Sequence, residues 1–151
     1  GFDMISIDGT FPDARFGSTV VCLGDLDHDG YQDVAVGAPY EANSGAVYIF
    51  KGSRNGLTSI PTQKFLGKDF GRLRGFGFAI SEPRDIDDNG YADFAVGAHA
   101  SGHVVLFRAQ PVVEIQLSLA YVDSARLNSN TTAFSVKACG YYDGYRVPPL
   151  L

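Results

Sequence analysis

The chain has 151 residues and a formal net charge of −5, and 45% of its residues are hydrophobic. Its 19% of charged residues is too few for a coiled coil or a disordered tail, so we expect a folded domain or part of a larger protein. The acidic balance argues against nucleic-acid binding, which usually needs clustered Lys and Arg. No apolar run reaches the roughly 18 residues that a membrane-spanning helix needs.

The first two thirds of the chain contain an internal repeat. Residues 16–38 match residues 76–98 at an offset of 60, and the shared residues include a Phe-Gly pair, three Asp and a Val-Gly-Ala triplet. A second match, at an offset of 57, aligns residues 44–50 with residues 101–107. The difference of three residues between the two offsets indicates a change in loop length between two copies of one structural unit.

Each copy has the pattern of short β-strands, because β-branched and aromatic runs alternate with Gly, Asn, Asp and Pro. Asn55-Gly56 further predicts a tight hairpin, since both central residues of such a turn need positive φ. Four antiparallel strands at a period near 60 residues match one propeller blade. The predicted fold class is therefore all-β, with two four-stranded blades near residues 16–66 and 76–107. The strands of the first blade are predicted at residues 16–23, 33–37, 46–51 and 62–66.

The pattern changes at residue 110. Residues 113–119 and 134–139 alternate apolar and polar side chains, which is typical of half-buried strands. We therefore divide the chain into the two blades, residues 1–109, and the start of a truncated β-sandwich domain, residues 110–151. Earlier in the chain, Cys22 is predicted to be a buried free thiol in the first strand.

Two short acidic loops are the main indication of function. In the first loop, carboxylates occupy relative positions 1, 3, 5 and 9, glycine occupies position 6, and a carbonyl is available at position 7. Carboxylates this close repel one another unless a cation neutralises them, and the spacing is the one with which an EF-hand loop wraps a hard cation. Ca²⁺, which takes six to eight oxygens, fits better than Mg²⁺. The predicted ligands are Asp25, Asp27, Asp29, Tyr31 through its carbonyl, and Asp33.

The second loop repeats this arrangement with a neutral residue at position 5. Its predicted ligands are Asp85, Asp87, Asn89, Tyr91 through its carbonyl, and Asp93. An EF-hand is excluded because its twelfth position needs a bidentate Glu, where Val36 and Val96 stand instead. The alternative is a pair of solvated Asp/Gly turns, but the duplication of the whole ligand pattern favours two Ca²⁺ sites.

The order of these motifs resembles a known family. Phe16-Gly17, then Asp-x-Asp-x-Asp-Gly-x-x-Asp, then Val-Gly-Ala-Pro ending at Pro39 is similar to the FG-GAP repeat of the integrin alpha-subunit β-propeller. The second copy departs from the pattern with His99 in place of that proline. From Gln110 onward the chain resembles the junction with the integrin thigh domain. The resemblance implies the sixth and seventh of seven blades, closed in the family by pairing of an N-terminal strand.

The resemblance also implies a function. The chain is expected to be a fragment of a non-enzymatic cell-surface receptor subunit, the extracellular part of a single-pass membrane protein. It would pair with an integrin beta subunit and contribute to binding an extracellular-matrix or cell-surface protein. Ca²⁺ would stiffen the blades, and partners would meet the loops at residues 39–44, 67–75 and 99–101. The alternative is a secreted or bacterial FG-GAP calcium protein attached to another domain, such as an enzyme.

Two further expectations concern the C-terminal part. Asn130-Thr131-Thr132 is an Asn-x-Ser/Thr sequon and predicts a glycosylation site in an extracellular domain. By the resemblance, Cys139 is expected to be a half-cystine of the thigh-like domain, with its partner beyond Leu151.

Overall fold

The computed structural model describes residues 4–121 and 135–146 of the chain. Its described strands pair antiparallel in three sheets, and the described helical segments are short 3₁₀ turns. The prediction of an all-β fold is therefore confirmed. The chain separates into two compact units, residues 1–110 and 111–151. Among the described residues, no helix is long and apolar enough to cross a membrane.

The first sheet is a four-stranded antiparallel meander, in which each strand pairs with the next along the chain. Its first strand begins three residues later than predicted, because Gly17 adopts φ +87° and ends the preceding turn with its N–H donated to the Gly37 carbonyl. The four-stranded first blade is confirmed. The strands are β1 (Thr19–Gly24), β2 (Asp33–Ala38), β3 (Ala46–Phe50) and β4 (Gln63–Leu66).

The second sheet has three strands within the described part of the chain: β5 (Phe76–Ile80), β6 (Phe94–Ala98) and β7 (His103–Phe107). The expectation of a fourth strand in this blade is wrong for these residues. After β7 the chain enters the second unit through Pro111, which has no N–H to donate to a sheet. No strand of the described residues therefore pairs with the outer edge of β7.

The two sheets pack face to face around one hydrophobic core. Burying each large aliphatic or aromatic side chain contributes about 1.5 to 3 kcal/mol, so this interface is the main cohesion between the blades. The backbones approach so closely that a Cβ on Gly37 would lie 2.0 Å from the Gly77 carbonyl oxygen. Glycine is therefore required there. The buried core residues are Leu23, Ala35, Val47, Ile49, Leu73, Phe76, Phe94, Val96 and Ala98.

The other face of the first sheet has its own cluster, built on Val36, Tyr48 and Phe50 and packed against the N-terminal segment through Ile7 and Phe16. Cys22 lies on this face, in the outermost position of the sheet, and its thiol is exposed. The prediction of a buried thiol is wrong because β1 is an edge strand and alternate residues Val21 and Leu23 point to the core between the blades.

The hairpin predicted at Asn55-Gly56 is also wrong. Strands β3 and β4 are joined by residues 51–62, and the Gly56 N–H donates to the Ser53 carbonyl at 3.0 Å in a turn within that loop. Gly56 has φ +99°, but Asn55 is not in the left-handed region, so the two-residue hairpin that needs both residues there does not form.

In the second unit, β8 (Glu114–Tyr121) pairs antiparallel with β9 (Val136–Asp143). The alternating patterns predicted both strands, although the second begins two residues later and runs further than expected. Cys139 lies in β9 as a free, half-buried thiol. Asn130 and the end of the chain at residues 148–151 lie outside the described residues.

Candidate metal centres

The first acidic loop connects β1 to β2, and Asp25 folds it into a tight turn. The Asp25 carboxylate accepts hydrogen bonds from the backbone N–H groups of Asp29, at 3.0 Å, and Gly30, at 2.8 Å. His28 and Gly30 take φ values of +60° and +93°, which turn the chain sharply. The Asp29 carboxylate accepts the N–H of Tyr31 at 2.9 Å. The loop is therefore shaped by its own carboxylates, as the Asp/Gly spacing predicts.

Asp33 closes the loop at the first position of β2. Its buried carboxylate accepts the N–H of Leu26 at 3.1 Å and the N–H of Gly52, after β3, at 3.0 Å. Burial raises the pKa of the Asp33 carboxyl, and the nearby charges of Asp29 and Asp25 raise it further. The two hydrogen bonds lower this pKa but do not outweigh burial, so the pKa of Asp33 lies above its usual value. Asp33 thus links the acidic loop to two strands.

Asp27 has a buried carboxylate oxygen that no protein group satisfies. One carboxylate oxygen pairs with the Lys51 ammonium, whereas Oδ1 is buried and has no hydrogen-bond partner. Oxygens of Asp25, Asp27 and Asp29 lie within 4.8 Å of one another. A buried carboxylate oxygen without a partner is costly, and three converging carboxylates repel. This donor set fits a hard divalent cation, which takes carboxylate and carbonyl oxygens.

The second loop, between β5 and β6, has the same hydrogen-bond frame. Asp85 accepts the N–H groups of Asn89, at 3.1 Å, and Gly90, at 2.7 Å. Asp93, fully buried, accepts the N–H of Ile86 at 2.8 Å and that of Ala109 at 2.9 Å. Each bond has its counterpart in the first loop. The two loops are therefore duplicates in three dimensions as well as in sequence.

The loops differ in how their carboxylates converge. In the second loop the oxygens within 4.8 Å of one another belong to Asp85, Asp87 and the closing Asp93. Asn89 is turned toward the chain after β7, where its Nδ2 donates to the Ala109 carbonyl at 2.9 Å. Arg108 Nη1 lies 3.5 Å from Asp87. The second site thus has one charge fewer, and its amide is already engaged.

The two tyrosines were predicted to act through their carbonyls. The structure shows a second role for these residues, through their backbone N–H groups. The Tyr31 N–H donates to the Asp29 carboxylate, and the Tyr91 N–H donates to Asn89 Oδ1 at 2.8 Å. The side chains differ, since Tyr31 is exposed and Tyr91 is buried with its ring edge-on to His28 of the first loop, 4.6 Å between centroids. The ligand role of both carbonyls stays a prediction.

Sequence reasoning missed the residues just after β3 and β7. Lys51 and Arg108 pair with the third-position aspartates, and the backbones of Gly52 and Ala109 hold the closing aspartates. A signal was present, because the repeat with offset 57 continues past residue 50 and aligns Lys51 with Arg108. A basic residue at the same place in both copies indicates a partner for the adjacent acidic loop.

Comparison with known proteins identifies the relatives of this chain. Residues 17–50 match the FG-GAP repeat family. Human integrin alpha-IIb is 38% identical over 163 aligned residues, which cover 100% of this chain and 16% of the relative. The chain is homologous to integrin alpha subunits. Integrin alpha-4 of Xenopus laevis is 41% identical over 89% of this chain and 14% of its own length, and integrin alpha pat-2 of Caenorhabditis elegans is 43% identical over 74% and 9%.

The integrin alpha relatives bear on two alternatives. All are integrin alpha chains, which supports the expectation of a receptor-subunit fragment over that of an enzyme. They also disfavour a secreted or bacterial FG-GAP protein attached to an enzyme. The chain spans about a sixth or less of the length of these curated relatives.

Proposed function

We propose that the chain forms two calcium-stiffened blades of an integrin alpha propeller together with the start of the thigh domain. The observation that supports this most directly is the pair of acidic loops with the same hydrogen bonds, the first of them within the matched FG-GAP repeat, in a chain homologous to integrin alpha subunits. By this proposal residues 1–109 are the last two of seven blades and residues 110–151 belong to the thigh-like sandwich.

Each loop would hold one Ca²⁺. The ion supplies positive charge that replaces repulsion between carboxylates with coordination, and two ions change the formal net charge from −5 to about −1. Asp27 Oδ1, buried without a partner, is the atom in the first loop that such an ion would satisfy. The first-loop ligands would be Asp25, Asp27, Asp29, the Tyr31 carbonyl and Asp33. Those of the second loop would be Asp85, Asp87, Asn89, the Tyr91 carbonyl and Asp93.

The metal loops and the proposed partner-binding loops lie at opposite ends of the sheets. Successive connections in an antiparallel meander alternate between its two ends. The acidic loops join β1 to β2 and β5 to β6, whereas residues 39–44 and 99–101 join β2 to β3 and β6 to β7. Calcium would therefore stiffen each blade at one end while the other end meets partners.

The partners would be an integrin beta subunit and an extracellular-matrix or cell-surface protein, and the chain would lie outside the cell as part of a single-pass membrane protein. The sequon at Asn130 would then be glycosylated. A eukaryotic secretory host tests this: treatment with an N-glycosidase should lower the mass of the wild type but not of an Asn130→Gln variant. An unmodified Asn130 in the secreted wild type would contradict the glycosylation site.

Calorimetric titration with Ca²⁺ tests the metal sites. The wild type should bind two ions, an Asp25→Asn variant should retain the second site, and an Asp85→Asn variant should retain the first. A stoichiometry of zero for the wild type would overturn the metal proposal. Co-expression of the natural protein with an integrin beta subunit, followed by affinity capture of the complex, tests the receptor proposal separately.

A further inference from the structure

A groove of about 420 Å³ lies at the end of the blades opposite the acidic loops, and it is built from three separate connections. Those connections belong to both sheets, so the groove exists only because the two blades pack together. The residues that line it are Pro39, Tyr40, Asn43, Arg74, Gly75 and Ala100.

The groove offers hydrogen-bond donors and positive charge. Arg74 has a fixed backbone, because its N–H donates to Ser101 Oγ at 3.1 Å and its carbonyl accepts the Ala100 N–H at 3.2 Å. Its side chain is exposed and forms no ion pair with a carboxylate of the described residues. A second guanidinium, that of Arg15, lies 4.9 Å over the Tyr40 ring. None of the residues lining the groove is acidic.

One wall of the groove contains a strained residue. Asn43, at φ +60°, is a residue type that tolerates the left-handed region, whereas Ala42 has φ +48°, which a residue with a Cβ adopts only when its surroundings enforce it. The neighbouring Glu41 does so: its carboxylate is buried, accepts the Tyr48 hydroxyl at 2.5 Å and lies 2.5 Å from Lys64 Nζ. This network fixes the turn that carries Tyr40 and Asn43.

The opposite wall requires glycine at position 75. Gly75 has φ +71°, and a Cβ there would lie 2.4 Å from Nδ1 of His99, so a side chain at this position would displace the histidine ring. The backbone of both walls is therefore fixed by contacts within the chain. The lining brings together one guanidinium, one side-chain amide and one phenol, all groups that donate hydrogen bonds to a carboxylate.

We propose that this groove binds the carboxylate of an acidic side chain on a protein partner, with Arg74 as its ionic contact and Tyr40 and Asn43 as flanking donors. The proposal rests on the proposed function, since it assigns a chemistry to the loops that would meet partners. A sulfated glycan is disfavoured because such polymers are bound by extended arrays of Lys and Arg. This chain has a net charge of −5, and the groove is lined by Arg74 with Arg15 beside it, which is not an extended array.

The test uses the natural protein that carries these residues, with charge reversal at two arginines. Arg74→Glu removes the proposed contact. Arg54→Glu is the matched control, since Arg54 is exposed, lies in the connection between β3 and β4 and does not line the groove. The probes are the peptide Gly-Ser-Asp-Gly-Ser displayed on tetravalent streptavidin, its Asn counterpart, and heparin. Binding is measured by surface plasmon resonance in the presence of Ca²⁺.

We expect the Asp peptide to bind at least tenfold more tightly than the Asn peptide. Arg74→Glu should remove that preference, and Arg54→Glu should preserve it within twofold. Equal binding of the two peptides, or equal effects of the two variants, would overturn the proposal. Loss of heparin binding alone in Arg74→Glu would also overturn it, in favour of a glycan.

The same samples separate this proposal from the proposed function. Calcium stoichiometry and capture by the beta subunit are measured on wild type and Arg74→Glu. If both persist while the peptide result fails, the groove proposal alone is wrong. If the wild type shows neither, the proposed function fails first. Retained calcium binding in Arg74→Glu shows that the variant is folded.

Discussion

The two acidic loops share one pattern of hydrogen bonds and differ in the charge of the residue at their fifth position. In both, the first aspartate folds the turn and the ninth is buried between the loop and the chain after the third strand. The fifth position is an exposed carboxylate in one loop and an engaged amide in the other. The duplication thus separates residues that build the loop from residues that tune its charge.

The largest expected effect comes from removing the aspartate that closes each loop, Asp33 or Asp93. Asp33→Ala leaves the N–H groups of Leu26 and Gly52 without an acceptor, and Asp93→Ala does the same in the second loop. These N–H groups are part-buried. Each donor left unsatisfied costs about 1 to 3 kcal/mol, so each variant should lose about 4 kcal/mol of unfolding free energy. Asp29→Ala, which removes the acceptor of one exposed N–H, is the control.

Urea unfolding in EDTA measures these losses without any contribution from calcium. If Asp29→Ala destabilised the chain as much as Asp33→Ala, the distinction between residues that build the loop and residues that set its charge would be wrong.

The next effect tests the packing between the repeats. Gly37 and Gly97 occupy the same position in the two copies, but only Gly37 faces the opposite sheet at close range. A Cβ on Gly37 would lie 2.0 Å from the Gly77 oxygen, whereas a Cβ on Gly97 would lie 3.5 Å from Ala79 Cβ, an ordinary contact. Gly37→Ala should therefore cost about 3 kcal/mol, and Gly97→Ala less than about 1 kcal/mol. Thermal unfolding of the two variants compares them directly, and equal losses would contradict this account of the interface.

Sequence periodicity predicted the parts of the fold that depend on local pattern. Runs of β-branched and aromatic residues bounded by Gly, Asp and Pro placed β2 and β3 almost at their observed ends. The Asp and Gly spacing predicted the turn in both loops. These features depend on short-range geometry, which a sequence carries directly.

Features that depend on position within the sheet could not be predicted in the same way. The exposure of Cys22 follows from its place on an edge strand, and the missing fourth strand of the second sheet follows from where the chain goes after β7. The buried Glu41 and Tyr48 and the exposed Lys64 form a network that joins a turn to two strands, so no local motif marks it.

A smaller effect concerns the charge of the metal sites. Asp29→Asn should weaken Ca²⁺ binding at the first loop about tenfold, the equivalent of about 1.4 kcal/mol, because affinity follows the number of charged ligands. The reciprocal Asn89→Asp should strengthen the second loop by less. The added charge is offset by loss of the hydrogen bond from Asn89 Nδ2 to the Ala109 carbonyl. Calorimetry on the two single variants measures both affinities, and weaker binding by Asn89→Asp would show that this hydrogen bond outweighs the charge.

The smallest expected effect is a pH dependence confined to the first repeat. Burial raises the pKa of the Tyr48 hydroxyl, and its hydrogen bond to Glu41 raises it further. Burial lowers the pKa of Lys64, but its interactions with Glu41 and Tyr48 outweigh burial and leave that pKa raised. A group with a raised folded pKa stabilises the fold below its unfolded pKa and loses that contribution as pH rises through the folded value.

The free energy of unfolding should therefore decline above about pH 10, where Tyr and Lys of the unfolded chain begin to lose their protons. Tyr48→Phe should cost about 1 kcal/mol at neutral pH, because the buried Glu41 carboxylate loses a donor, and should flatten the alkaline decline. The second repeat has Val105 at the matching position, so a Val105→Ala variant should lower stability without changing the pH profile. Urea unfolding between pH 8 and 11 measures both profiles, and an alkaline decline unchanged in Tyr48→Phe would assign it to groups outside this network.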